Sequence, residues 1–148
     1  PRDVQTFIRE YRADRAIWWY TRSSFLYETL NQALRLLDTK VIVAMALFLH
    51  DLHRQIEQLH REQLPGYHGK PFVVYRGQAL SNKDFTNLTS RRGGLMSFNN
   101  FLSTSVDRDT SVIFIPSPET TPNFRRVLFI LEINPALTNT PFSRVHGH

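Results

Sequence analysis

Along residues 1–64 apolar side chains return every three or four positions, at Val4, Phe7, Ile8 and Tyr11 and again at Leu26, Leu30, Ala33, Leu34 and Leu37. Each set lines one face of a helix. Ser23 or Ser24 can cap the second helix. Asp38 or Thr39 can cap a third, from about Lys40 to Gln63, where Pro65-Gly66 stops it. Between the first two helices Ile17-Trp18-Trp19-Tyr20-Thr21 is dense in aromatics, which serve as core or as the wall of a pocket and favour a partner at the N–H or O–H end. From Pro71 the period changes to two. Phe72, Val74 and Arg76 share one face of a strand, and Val73 and Tyr75 share the other.

Further strands are expected over about Phe101–Ser105 and Arg126–Ile133, the latter a nearly unbroken apolar run ended by Asn134-Pro135. Ser81–Leu88 reads as helical, Arg91-Arg92-Gly93-Gly94 as a turn and Pro116–Pro122 as a loop. Asp107–Ile115 is a short helix or a strand, and its periodicity does not choose. The expected class is α+β, one domain over residues 1–148 with a helical lobe at 1–64 and a β-rich part at 71–148.

At 148 residues, 41% hydrophobic and 21% charged, the chain can build one real core. Its longest apolar run, Val41–Leu49, is too short to cross a bilayer, so no membrane span is expected. With no cysteine there is neither a disulfide framework nor a thiolate nucleophile. The formal charge of +5 is spread along the chain, in pairs no longer than Arg91-Arg92 and Arg125-Arg126, the pattern of a solvated basic surface rather than a nucleic-acid footprint. The start at Pro1-Arg2-Asp3 has no initiator Met and no signal-peptide progression, which implies a cut chain. Without cysteine or a visible signal, the expected compartment is cytoplasmic.

Arg76 stands at a strand end on an otherwise apolar face. Its guanidinium is a planar fork of donors that matches phosphate oxygens, and Gly77 beside it has no Cβ, so a ligand could approach the backbone closely. Taken alone, Arg76 would more often be a strand-end arginine reaching water. Ser103-Thr104-Ser105 reads by itself as a strand end with local side-chain to backbone bonds. No histidine or acid at a telling spacing makes either serine a nucleophile. His50, His53, Glu57 and His60 form a stripe on the third helix with metal-ligand chemistry, but it borders the apolar stripe Leu49, Leu52, Ile56 and Leu59. A polar boundary is therefore the simpler reading, and no metal is expected. His146 and His148 read as a cut end.

Taken in order, Val74-Tyr75-Arg76-Gly77, Phe101-Leu102-Ser103-Thr104-Ser105 and Val127-Leu128-Phe129-Ile130-Leu131-Glu132-Ile133 resemble the arginine-type mono-ADP-ribosyltransferases. Trp18-Trp19-Tyr20-Thr21, Phe25-Leu26-Tyr27 and Leu30-Asn31 with Ala33-Leu34 resemble that family's helical lobe. The resemblance implies a helical lobe packed on a β-rich NAD-binding core, and transfer of ADP-ribose from NAD to an exposed arginine of a protein acceptor, with no metal. It implies that Arg76 grips the pyrophosphate and that the Gly77 backbone holds the nicotinamide carboxamide. Phe101 would line the nicotinamide pocket. Ser103 would position the catalytic glutamate and support the ribose, with Thr104 and Ser105 completing the triplet.

The family also carries a Glu-x-Glu pair, and none of Glu10, Glu28, Glu57, Glu62, Glu119 and Glu132 stands two residues from another. Glu132 is no substitute, since Asn134 occupies the place of its partner. The expectation is a transferase fragment, inactive as it stands, with its last strands and catalytic carboxylate beyond His148. The alternative is a non-catalytic dinucleotide-binding module or pseudoenzyme interaction domain.

Overall fold

The computed structural model describes residues 2–22, 24–117 and 123–145, with the side chains of Arg2, Asp3, Val4 and Ser24 excepted. The cap expected of Ser23 or Ser24, the Val4 contact, Glu119, most of the Pro116–Pro122 loop, His146 and His148 lie outside the described residues. The chain is α+β and forms two compact units.

The first unit takes in the residues up to Gly69, Asn99–Phe101 and the residues from Leu137 on. Its helices are α1 (Arg2–Glu10), α2 (Ala16–Arg22), α3 (Ser24–Leu36), α4 (Thr39–Ala44) and α5 (Ala46–Gln63), with a short 3-10 turn at Ala13–Arg15 and another at Leu64–Tyr67. The aromatic stretch is thus itself a helix. Ile17, Trp19 and Tyr20 enter a core with Leu26, Leu30, Phe48 and Leu52, and Phe7 and Tyr11 pack against it. Trp18 stays at the rim, with the Arg15 guanidinium 5.2 Å and the Arg22 guanidinium 4.9 Å from its ring. The Tyr20 hydroxyl finds partners in the Asn31 side chain and the Phe101 carbonyl, both at 3.1 Å, whereas the buried Trp19 Nε1 has none among the described residues.

The third expected helix is broken in two at Met45, whose φ of −99° and ψ of 9° leave the helical region. Asp38 caps its first half by accepting from the Lys40 and Val41 N–H groups at 3.1 and 3.3 Å. The Tyr11 hydroxyl donates to Asp51 Oδ2 at 2.7 Å, and Gln55 clamps the start of α2 by accepting from Ile17 N–H and donating to the Asp14 carbonyl. Burial first, then the Asp51 hydrogen bond and charge, push the Tyr11 phenol above its usual range.

The second unit spans Lys70–Phe98 and Leu102–Ala136. It holds an antiparallel pair, β1 (Phe72–Ser81) and β2 (Phe124–Ile133), in a register that sets Arg76 opposite Phe129 and Gly77 opposite Leu128. Ser81 ends β1 and caps α6 (Asn82–Ser90), its Oγ accepting from Asp84 N–H at 3.1 Å. The ambiguous segment resolves as a helix, α7 (Arg108–Ile113). Its cap Asp107 accepts from the Thr110 hydroxyl and from Asp109 N–H, bonds that, in that order, hold this exposed carboxyl below its ordinary pKa.

The strand expected at Phe101–Ser105 does not form. A single bridge joins Ser105 to Tyr75, and Phe101 belongs to the first unit, where its ring meets Tyr20 at 5.9 Å. Its aromatic side chain gains more from that core than a short ladder would return. No helix is long and apolar enough to cross a membrane among the described residues.

Candidate functional site

Tyr75 fixes the geometry of the site. Its N–H donates to the Ser105 carbonyl at 2.7 Å, and its carbonyl accepts from Ser105 N–H at 2.9 Å and from the Ser111 hydroxyl at 3.0 Å. Both its backbone groups therefore face away from β2. Backbone direction alternates along a strand, so the N–H and C=O of Gly77, two residues on, face the same way. Extending the Ser105 bridge antiparallel would set Ser103 opposite Gly77, but the pairing stops at one bridge, and no described backbone group meets Gly77 on that side. The result is an open edge with one donor and one acceptor.

Arg76 stands beside this edge, half-buried, on the face shared with Val74 and Gln78. Its Nε donates to Gln78 Oε1 at 3.2 Å and its Nη1 to the Ser103 carbonyl at 2.8 Å. Nη2 donates to no described group. A guanidinium held at two points with a third nitrogen uncommitted is preorganised and still able to take an anionic oxygen.

Gly77 has a second reason to be glycine. A Cβ built there would fall on the Ser111 carbonyl oxygen and on Ile115 Cγ1, so the missing side chain is what lets α7 lie against the strand. This does not compete with the open edge. A side chain leaves a strand perpendicular to the sheet, whereas the N–H and C=O lie in its plane.

The serine-threonine triplet divides by use. Ser105 is committed, its backbone to Tyr75 and its Oγ to Asp107 N–H at 3.0 Å. Ser103 and Thr104 are exposed, and their hydroxyls bond to no described group. The fold thus brings Arg76, Gly77 and Ser103 to one place, follows them with Thr104 and Ser105, and assigns Phe101 to the helical unit.

Sequence reasoning missed Gln78 and Ser111. Gln78 was legible as the next residue on the face of Arg76. Ser111 had a fainter signal, the Asp107-x-x-Thr110 cap that starts a helix one turn before it. The histidine stripe is used otherwise: His53 Nδ1 lies 3.8 Å from Glu57 Oε1, and His60 Nδ1 lies 3.1 Å from the Phe142 carbonyl oxygen. No group of three or more metal-binding side chains gathers among the described residues.

Comparisons were made with protein-family models, curated proteins and solved structures. Nothing matches this chain. A functional reading therefore rests on the residues and their arrangement.

Proposed function

We propose that the second unit binds NAD and that the chain carries the NAD-binding part of an arginine-specific mono-ADP-ribosyltransferase. One observation supports this above the others. The two motif elements, 27 residues apart, meet through the 2.8 Å bond from Arg76 to the Ser103 carbonyl, beside a strand edge whose backbone donor and acceptor meet no described group. In this reading Arg76 takes the pyrophosphate and the Gly77 N–H and C=O take the carboxamide of nicotinamide. Ser103 and Thr104 face the ribose with uncommitted hydroxyls, and Ser105 holds the turn.

The chemistry asks for one more group. As the ribose–nicotinamide bond breaks, its electron pair leaves with nicotinamide and the ribose gains oxocarbenium character, which a carboxylate stabilises. The acceptor guanidinium attacks the same carbon and needs a base for its proton. The Glu-x-Glu pair that would supply these groups is not among the 148 residues. No carboxylate contacts Arg76 or Ser103 among the described residues, which favours, as the second reading, a module that binds the dinucleotide without turning it over.

Calorimetric titration with NAD tests both. Arg76→Ala is expected to weaken binding about ten- to a hundredfold, the value of one charge-assisted contact, and Arg76→Lys to recover only part of it. Unchanged affinity in Arg76→Ala, accompanied by lower stability, would make the Ser103 bond purely structural and overturn the proposal. Nicotinamide release by a chain that includes a Glu-x-Glu pair separates transferase from binding module.

A further inference from the structure

The outer edge of β2 is open. Since Tyr75 gives both backbone groups to Ser105, Tyr75 and Ile130 are a non-bonded pair in the β1–β2 ladder. The N–H and C=O of Arg126, Leu128, Ile130 and Glu132 accordingly point away from β1, where no described backbone meets them. Proteins usually close such an edge with a proline, a bulge or a covering segment. The Phe124–Ile133 sequence contains neither proline nor glycine, and its pairing with β1 runs without a bulge. On the same face Ile130 is 64% exposed. Arg126 and Glu132 are exposed at opposite ends of this row, and neither has an ion-pair partner among the described residues.

We infer that this edge takes β2 of a second copy, antiparallel about a twofold axis through Phe129. The charges select the arrangement. With Phe129 opposite itself, each Arg126 faces Glu132 of the second copy, each Leu128 faces Ile130 of the second copy, and every outward N–H and C=O of the row finds a partner. A parallel in-register pairing sets Arg126 beside Arg126 and Arg125 beside Arg125, which is repulsive. An antiparallel slip of two residues sets Arg126 against Ile130 and leaves both charges unmatched. The favoured contact is isologous and closes at two copies, giving a continuous sheet in the order β1-β2-β2-β1. It uses a different edge from the nucleotide reading, since the Gly77 edge lies on the other side of β1.

Sedimentation velocity over a concentration series, joined to a charge swap, tests the register. The chain is expected to show a concentration-dependent dimer. Arg126→Glu alone or Glu132→Arg alone should weaken it by at least about fivefold, since two symmetry-related contacts turn repulsive, and the double swap should restore it. Both positions are exposed and carry no side-chain bond among the described residues, and circular dichroism verifies that each variant is folded. Because the chain has no cysteine, Phe129→Cys adds an independent reading: non-bonded antiparallel pairs bring Cα atoms within disulfide range, so mild oxidation should link two copies faster than it links Val73→Cys. A chain that stays monomeric throughout, a double swap that fails to restore the dimer, or crosslinking no faster than at Val73 would each overturn the proposal. The first of these would leave the edge to another occupant, such as an extended segment of a different chain.

Discussion

The two units solve the same problem from opposite ends. In the helical unit each segment satisfies its own backbone, so folding needs only the side chains to meet, and Leu30 and Leu52 end up fully buried within a cluster of aromatics. The sheet unit must satisfy backbone between segments and has two strands with which to do it. Its buried aliphatic residues among those described are Val74 and Ile115, each still 7–8% exposed, while Ile113 and Phe114 stay 80% and 74% exposed. The difference explains where chemistry can reside. The helices have little polar backbone left to offer, whereas among the described residues the sheet has an open edge on each side, one beside Arg76 and one along β2.

Three measurements break or sharpen that contrast. Leu30→Ala empties a fully buried site in the helical core and is expected to cost about 2–5 kcal/mol in denaturant unfolding. A loss below about 1 kcal/mol would mean the core is loose and the contrast false. Gly77→Ala forces a Cβ onto the Ser111 carbonyl and should cost about 1–3 kcal/mol. Hydrogen exchange should localise that damage to α7 and β1, and uniform exchange would contradict the close approach. The smallest effect is on pH dependence. The folded state holds the Tyr11 proton more tightly than the unfolded chain, so this contribution is fully present below the ordinary phenol value of about 10 and is lost as pH rises through the raised folded value. Tyr11→Phe should flatten that alkaline decline, which a series of melts above pH 9 would reveal.

Much of this was legible from periodicity. Helices α1 and α3 and strand β1 follow from spacings of three or four and of two, β2 follows from its apolar run, and Asp38 capped as its type and place suggested, whereas α2 lay in a stretch read as a connection. The failures have local causes. Met45 interrupts a helix that the pattern of apolar residues carries straight through, since pattern records which face is buried and not where the axis breaks. The alternation at Phe101–Ser105 was real but fixed no partner: Phe101 went to the helical core, and the polar triplet kept one bridge. Arg76 and Gly77 could be singled out by chemistry and resemblance, but their relation to Ser103 needed the register, which only long-range pairing defines. The helix seated on Gly77 left no mark on the glycine itself.

Among the described residues three pairs of the helical unit are hydrogen-bonded across more than half of the chain: Tyr20 with Phe101, His60 with Phe142 and Gln63 with Arg144, at separations of 81, 82 and 81 residues. The sheet unit therefore sits as an insertion within the chain path of the helical one. During synthesis the helices emerge first, yet their last stitches must wait until the residue at 144 has left the ribosome. The unit that begins the chain is the one completed last, and contacts of such separation set a slow final step in folding.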